Sequence, residues 1–241
     1  MNWAEKGYVI SARPHGETSA VLELFTRGQG RWMGLVRGGR GKRMRPVLQT
    51  GNVLQVQWRA RLAEHLGTFT AEPVQMNAAR LIDDPVRLAA LTTLAALTQL
   101  LPEREQHARL YDAFEIVLDT LLAEGPWPPL LVRWELGLLE ELGFGLDLAT
   151  CAATGVKNDL IYVSPKSGRA VSREAGDPYQ DKMLALPGFV IGKASASISD
   201  VEAGFALTGY FLDRHIFHPR GLKEPEARGR MIARLVNAST Y

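Results

Sequence analysis

Three features of the sequence predict an α+β protein. Short runs rich in Val, Leu, Phe, Trp and Thr crowd the first seventy or so residues, with no convincing helix among them. From about residue 80 onward, apolar residues recur at helical spacing. A stretch from 150 to 179 follows neither pattern. The expected architecture is a five-stranded antiparallel barrel of the oligonucleotide-binding (OB) type over residues 1–78, then a mainly helical domain over 79–241 with a small irregular insert at 150–179. An SH3-like barrel has about the same number of strands and is the rival.

The five predicted strands are YVISA, SAVLELF, GRWMGLV, NVLQVQWRA and HLGTFTA, separated by HGE, RGQG and the longer GGRGKRMRPVLQTG. NVLQVQW alternates: Leu54, Val56 and Trp58 face one way, and Val53, Gln55 and Gln57 the other, as in a half-buried strand. Closing the sheet removes edge strands that would otherwise present free backbone groups.

Helices follow over Pro85–Leu101 and Glu105–Glu124, then from Pro128 or Pro129 to Leu142, where Gly143 and Gly145 stop the run. ISDVEAGFALTGYFLDRHIF supplies a fourth, weakened by Gly204 and Gly209, and EPEARGRMIARLVNA a fifth. Each hides an apolar stripe against the others. In the insert only DLIYVS reads as a strand, while VKND, SPKSG and EAGDP read as turns.

The chain of 241 residues is 46% hydrophobic, enough for a substantial core. Its single cysteine, Cys151, cannot form an internal disulfide. The start MNWAEKGYVISARP lacks the charged and apolar regions of a secretory leader, and the apolar runs are too short and too polar to span a bilayer. A soluble cytoplasmic protein is expected.

Catalytic signatures are missing. A phosphate-loop spacing would need Gly at 36 and Ser or Thr at 43, where Val36 and Arg43 stand. Neither a GxSxG elbow nor an HExxH helix occurs. His215 and His218 are three apart, with Asp213 nearby, a spacing compatible with zinc but equally with a helix end meeting the surface. Asp83–Asp84 and Glu140–Glu141 read as solvated surface, the first pair also as helix-start charge. No enzyme emerges.

Charge is where the sequence speaks most clearly. The whole chain carries a formal +2, yet residues 1–60 hold ten Arg or Lys against three Glu, a net of +7, and the remainder is net −5. Arg27, Arg31, Arg37, Arg40, Lys42, Arg43 and Arg45 lie within twenty residues that contain no carboxylate. Cations that displace the counterions condensed on a phosphate backbone gain binding free energy from their release. Gly38, Gly39 and Gly41 let the segment bend around a strand and leave its arginines uncovered. Trp32 is either a core residue or a platform for base stacking. The same segment would also suit an acidic protein partner, or stand as solvated surface. Gly, Arg and Trp encode no base sequence, so binding to nucleic acid would be largely nonspecific.

GYVISARPHGETSAVLELFTRGQGRWMGLVRGGRGKR resembles the opening of the bacterial RecO family of DNA repair proteins. The turn Pro14–His15–Gly16–Glu17–Thr18, the strand end Leu24–Phe25–Thr26–Arg27, and then Gly30, Arg31, Gly34, Val36, Arg37, Gly38 and Lys42 carry the likeness. LGTFTAEP and LLVRWELGLLEELGFGLDLATC resemble the end of that family's barrel and its central helix. The resemblance implies an OB domain followed by a helical domain and binding to single- and double-stranded DNA. It further implies strand annealing, and work with RecR and the single-stranded-DNA-binding protein to load the recombinase, which would place the protein at the nucleoid. An RNA-binding or translation-associated module and a protein-interaction adaptor are the alternatives.

Many relatives resemble a four-cysteine zinc site. Here Thr154 stands at the second position, and Ser172 and Ala175 at the later pair, so one thiolate remains and no metal or other cofactor is expected. The insert is expected to keep its hairpin by packing through Ile161, Tyr162 and Val171. The resemblance also implies that the helical domain receives the acidic C-terminal tail of the single-stranded-DNA-binding protein. Arg228, Arg230 and Arg234, beside Met231, Ile232, Leu235 and Val236, are the expected contacts, unless those arginines only complement acidic neighbours such as those at 140 and 141.

Overall fold

A computed structural model describes residues 1–62, 64–192 and 196–237. Two compact units divide the chain, Met1–Gly125 and Pro126–Tyr241.

The first unit is built on a closed five-stranded barrel of β1 (Asn2–His15), β2 (Ser19–Thr26), β3 (Gly30–Val36), β4 (Val53–Arg59) and β5 (Thr68–Gln75), in the order β1-β2-β3-β5-β4. Four seams are antiparallel, as expected, but the seam between β3 and β5 is parallel, with Leu35 opposite Thr68. That corrects the all-antiparallel expectation. The long connection from β3 to β4 lets β5 reach β3 in the same sense, which a tight hairpin could not do.

Inside the barrel sit Val9, Leu22, Leu24, Trp32, Leu54, Val56, Trp58 and Phe69. The alternation of β4 is realised, with Leu54, Val56 and Trp58 facing inward. β2 departs from simple alternation: Glu23, Leu24, Phe25 and Thr26 are all buried. Its outer face is covered by helix α3 (Ala108–Leu122), whose Tyr111 and Phe114 meet Tyr8 and Phe25 with ring centroids 5.0 to 5.7 Å apart. Tyr8 also donates its hydroxyl to Glu115 at 2.9 Å. Burial, reinforced by the Glu115 carboxylate, raises the Tyr8 pKa far above its ordinary value.

Two further helices belong to this unit. α1 (Asn77–Leu81) is a single short turn that the periodicity does not reveal. α2 (Pro85–Thr98) starts at Asp84, whose carboxylate accepts the N–H groups of Val86 and Arg87, with Pro85 in the first turn. Asp84 is therefore a helix cap.

In the second unit, α4 (Trp127–Glu141) begins with Pro128 and Pro129 in its first turn. The insert forms a three-stranded sheet in the order β7 (Ala170–Ser172), β6 (Leu160–Val163), β8 (Leu184–Ala185), with a short helix α5 (Arg173–Gly176) between β7 and β8. Leu160, Val163, Ala170 and Val171 provide its buried contacts, whereas Ile161 and Tyr162 are only half-buried. Strand order thus exceeds the single strand expected there.

α6 (Ile198–Leu212) opens on a capping box between Ser197 and Asp200 and continues into one π-helical turn, Asp213–Phe217. α7 (Glu226–Asn237) follows. The two glycines of α6 have packing reasons. A Cβ at Gly204 would meet Val132 and Phe189 at 3.0 Å, and one at Gly209 would meet the Arg228 guanidinium at 2.9 Å.

Candidate nucleic-acid interface

The basic segment between β3 and β4 is folded, and this replaces the expectation of a pliable loop. Successive turns bond Gly39 to Val36, Gly41 to Gly38, Met44 and Arg45 to Gly41, and Leu48 to Met44, each an N–H donating to a carbonyl at 2.9 to 3.2 Å. Val47 and Leu48 are buried in the barrel core, and Met44 packs against it. Asn52, fully buried, donates its amide to the carbonyls of Pro46 and Val47 and accepts the N–H of Ala78. The segment is thus pinned at one end of the barrel by its own apolar residues, which turns its cations outward.

Arg37, Arg40, Lys42, Arg43 and Arg45 are all exposed, and none has a carboxylate partner among the described residues. Arg40 is fixed from two sides. Its backbone N–H donates to the Thr18 carbonyl at 2.9 Å, and its Nη1 to the Gly16 carbonyl at 2.6 Å. A backbone already ordered in this way lowers the conformational entropy a polyanion would have to remove on binding.

The other two cations of the cluster are placed differently. Arg27 forms a forked pair with Asp112, at 2.8 and 3.0 Å, on the exposed side of α3. The Asp112 carboxylate holds the Arg27 pKa above its ordinary value. Arg31, with only 16% of its side chain exposed, is pinned by a short bond to the buried Glu23 and lies 3.7 Å from Glu103. Both are locally compensated and contribute little free positive field.

Trp32 is a core residue. It is 9% exposed, meets Trp3 and Trp58 edge to face, and carries the Arg104 guanidinium 4.7 Å over its ring. Arg104 is held in turn by the carbonyls of Arg31 and His65, the first through its backbone N–H. Trp32 therefore offers no open face for base stacking.

The same chain segment also restricts where a ligand can lie. Residues 103–105 run beside the start of β3, so closely that a Cβ at Gly30 would collide with the Glu105 carbonyl oxygen. With α3 over Tyr8 and Phe25, much of the outer face of β2 and β3 is already occupied. The basic segment meets the β1–β2 hairpin through the bonds of Arg40 to the Gly16 and Thr18 carbonyls. A depression there, of about 390 Å³, is lined by Arg13, Arg40 and Arg45 and by no carboxylate. Sequence reading passes over Arg13 because it sits inside a strand, outside the cluster.

In the second unit, Arg228 is removed from the candidate tail contacts. It is 3% exposed, bonds both oxygens of the fully buried Glu135, and also donates to Glu224, Thr208 and the Phe205 carbonyl. Burial opposes its charge, but the Glu135 and Glu224 carboxylates outweigh that and raise its pKa. Removing either Arg228 or Glu135 would leave the other buried without its charged partner. The acidic partners of Arg228 are Glu135 and Glu224. Arg230 is exposed and pairs with Glu226 one turn earlier, at 3.1 Å, and Arg234 follows one turn later on the same helix. The depression between α6 and α7 carries Glu202, Asp213 and Glu224 beside its aromatic lining, which disfavours an acidic ligand there.

Among the described residues, no group of three or more His, Cys, Asp or Glu is arranged to hold a metal ion. His215 is stacked between Phe144 and Phe211, and burial lowers its pKa, while His218 is exposed. Cys151 is buried and accepts hydrogen bonds from the Ser172 N–H and hydroxyl at 3.3 and 3.4 Å. Among the described residues no helix is long and apolar enough to cross a membrane.

Comparison with known proteins agrees across nearly the whole chain. The family model for the recombination protein O N terminal matches residues 1–77, and that for the recombination protein O C terminal matches 82–224. The chain is 53% identical to a protein named DNA repair protein RecO from Mesorhizobium japonicum, over 98% of this chain and 94% of that one. It is 51% identical to proteins of the same name from Rhodospirillum centenum, over 100% and 97% of the two chains, and from Brucella abortus, over 99% of each.

Proposed function

The chain belongs to the RecO family of DNA repair proteins, and from that premise we propose that it is a noncatalytic DNA-binding mediator of recombination. A role in DNA repair and recombination is common to the family. The finer reading is that this chain binds single- and double-stranded DNA, anneals complementary strands and helps load the recombinase. The observation that supports it is the prefolded basic segment. Five exposed cations without carboxylate partners among the described residues share this one folded segment. Phosphate contacts of this kind orient a strand without reading its bases, which suits a protein that must act on any sequence.

Catalysis has no counterpart in this arrangement: cations that bind and align two polyanionic strands reduce their mutual repulsion, and annealing needs nothing more from the protein. RecR and the tail of the single-stranded-DNA-binding protein are the partners the family likeness suggests. For the tail, Arg230 and Arg234 on α7 are the proposed contacts.

Matched DNA and RNA strands test the reading. At low salt the full chain is expected to bind single-stranded DNA tightly and to weaken steeply as salt rises. A preference for RNA of about tenfold or more would favour a translation-associated module, because reading the 2′-hydroxyl is what separates the two sugars.

A further inference from the structure

We propose that the depression between α6 and α7 is a trough for a short basic segment of a partner protein, with an arginine toward each of its two ends. The site belongs to the second unit and does not depend on the nucleic-acid reading above.

Shape favours such a guest. The trough has a volume of about 340 Å³. Glu202, Ala206, Gly209 and Asp213 follow one another at three- and four-residue intervals along one face of α6 and its π-helical turn, and Ile232 lines the trough from α7. Phe205 and Phe217, both buried, close its floor. The helical rise from Glu202 to Asp213 sets the two ends about 16 Å apart, too far for one side chain to serve both. Five residues of extended chain cover about 13 Å, and the reach of two arginine side chains supplies the rest.

Charge favours it as well. Glu202 and Asp213 are exposed, and neither has an ion-pair partner among the described residues. Arg228, the one cation lining the trough among the described residues, is already committed. Its N–H groups go to both oxygens of Glu135, to Glu224, to Thr208 and to the Phe205 carbonyl. In formal charge Glu135, Glu224 and Arg228 sum to −1, and Glu202 with Asp213 bring the total to −3. Arg214 does not line the trough, and its guanidinium donates to the Tyr210 hydroxyl at 2.9 Å. An incoming guanidinium therefore meets a carboxylate at either end, whose two oxygens match its paired N–H donors. An aliphatic residue between the two arginines meets Ala206 and Ile232. Arg230 and Arg234, the proposed contacts of the acidic tail, stand about 200° round α7 from Arg228 and Ile232, so the two ligands use different faces.

The test follows amide signals of the isotope-labelled full chain during titration with the peptide acetyl-RALAR-amide at low salt. A control peptide carries citrulline, the neutral isostere, in place of both arginines. The arginine peptide is expected to shift the signals of Gly209, Tyr210 and Ile232. Affinity should fall at least about fivefold for the citrulline peptide, and equally for the arginine peptide in a Glu202→Gln, Asp213→Asn double variant. Added salt should weaken the arginine peptide and leave the citrulline form unchanged. Both substitutions are at exposed positions, so the melting temperature should stay near the parent's. The citrulline comparison is made on the parent chain and decides the matter even if the variant does not fold. No effect on those signals, an equal response to the citrulline peptide, or unchanged affinity in a folded double variant would each overturn the proposal.

Discussion

Cys151 is the single cysteine of the chain, and two hydroxyl residues serve its sulfur. Ser172 donates through both its N–H and its hydroxyl, and Thr154 adds its own bond. Burial alone would push the thiol up, but these hydrogen bonds outweigh it and bring Cys151 down to about 6. A thiol whose pKa is depressed on folding adds stability that is fully present above its unfolded value, near 9.0, and is lost as pH falls through about 6. The stability gap between the parent and Cys151→Ala should therefore widen from pH 6 to pH 9, read from urea unfolding. Ser172→Ala should move the thiolate absorbance to higher pH. A gap independent of pH would show that the sulfur is an ordinary buried thiol. The family resemblance implies the missing cysteines, but not that hydroxyl groups would converge on the one that remains.

At the scale of elements, what was legible followed from periodicity, and what was not followed from contacts between distant segments. The alternation of β4 and the apolar stripes of α2, α3, α4, α6 and α7 are local patterns, and each appears where its period places it. β2 is different: SAVLELF reads as a one-sided strand, yet Phe25 is buried against α3, some eighty residues further on. The parallel seam of β3 and β5 is equally invisible, because register between strands joined by long connections leaves no mark on either. A change of composition near residue 78 marks the end of the barrel strands, whereas the first compact unit runs to Gly125. A fragment of residues 1–125 is accordingly expected to unfold in one cooperative urea transition. One of residues 1–78, with Tyr8 and Phe25 uncovered, should bind a hydrophobic dye and unfold at least about 2 kcal/mol more readily. Equal midpoints for the two fragments would mean that α3 contributes nothing to the barrel.

Over the whole molecule, the division of charge was the feature most plainly written in the sequence. Ten cations against three carboxylates in residues 1–60 identify the charged region from composition alone. Which of those cations are available could not be read that way. Arg27 and Arg31 are spent on Asp112 and Glu23, partners 85 and 8 residues away, and Arg228 is spent on Glu135, 93 residues away. Five of those without a carboxylate partner among the described residues share one prefolded segment. If they contact phosphates, changing Arg37, Arg40, Lys42, Arg43 and Arg45 together to Ser should weaken binding on every DNA sequence alike, because phosphate contacts carry no base information. The melting temperature should scarcely move, since exposed charges contribute little to folding. The measurement that decides the matter is the log–log dependence of single-stranded-DNA affinity on salt for the full chain and this variant. The account predicts a steep slope for the parent, shallower in the variant by about 0.7 for each phosphate no longer neutralised. Equal slopes and equal affinities would contradict it and place the DNA on another surface.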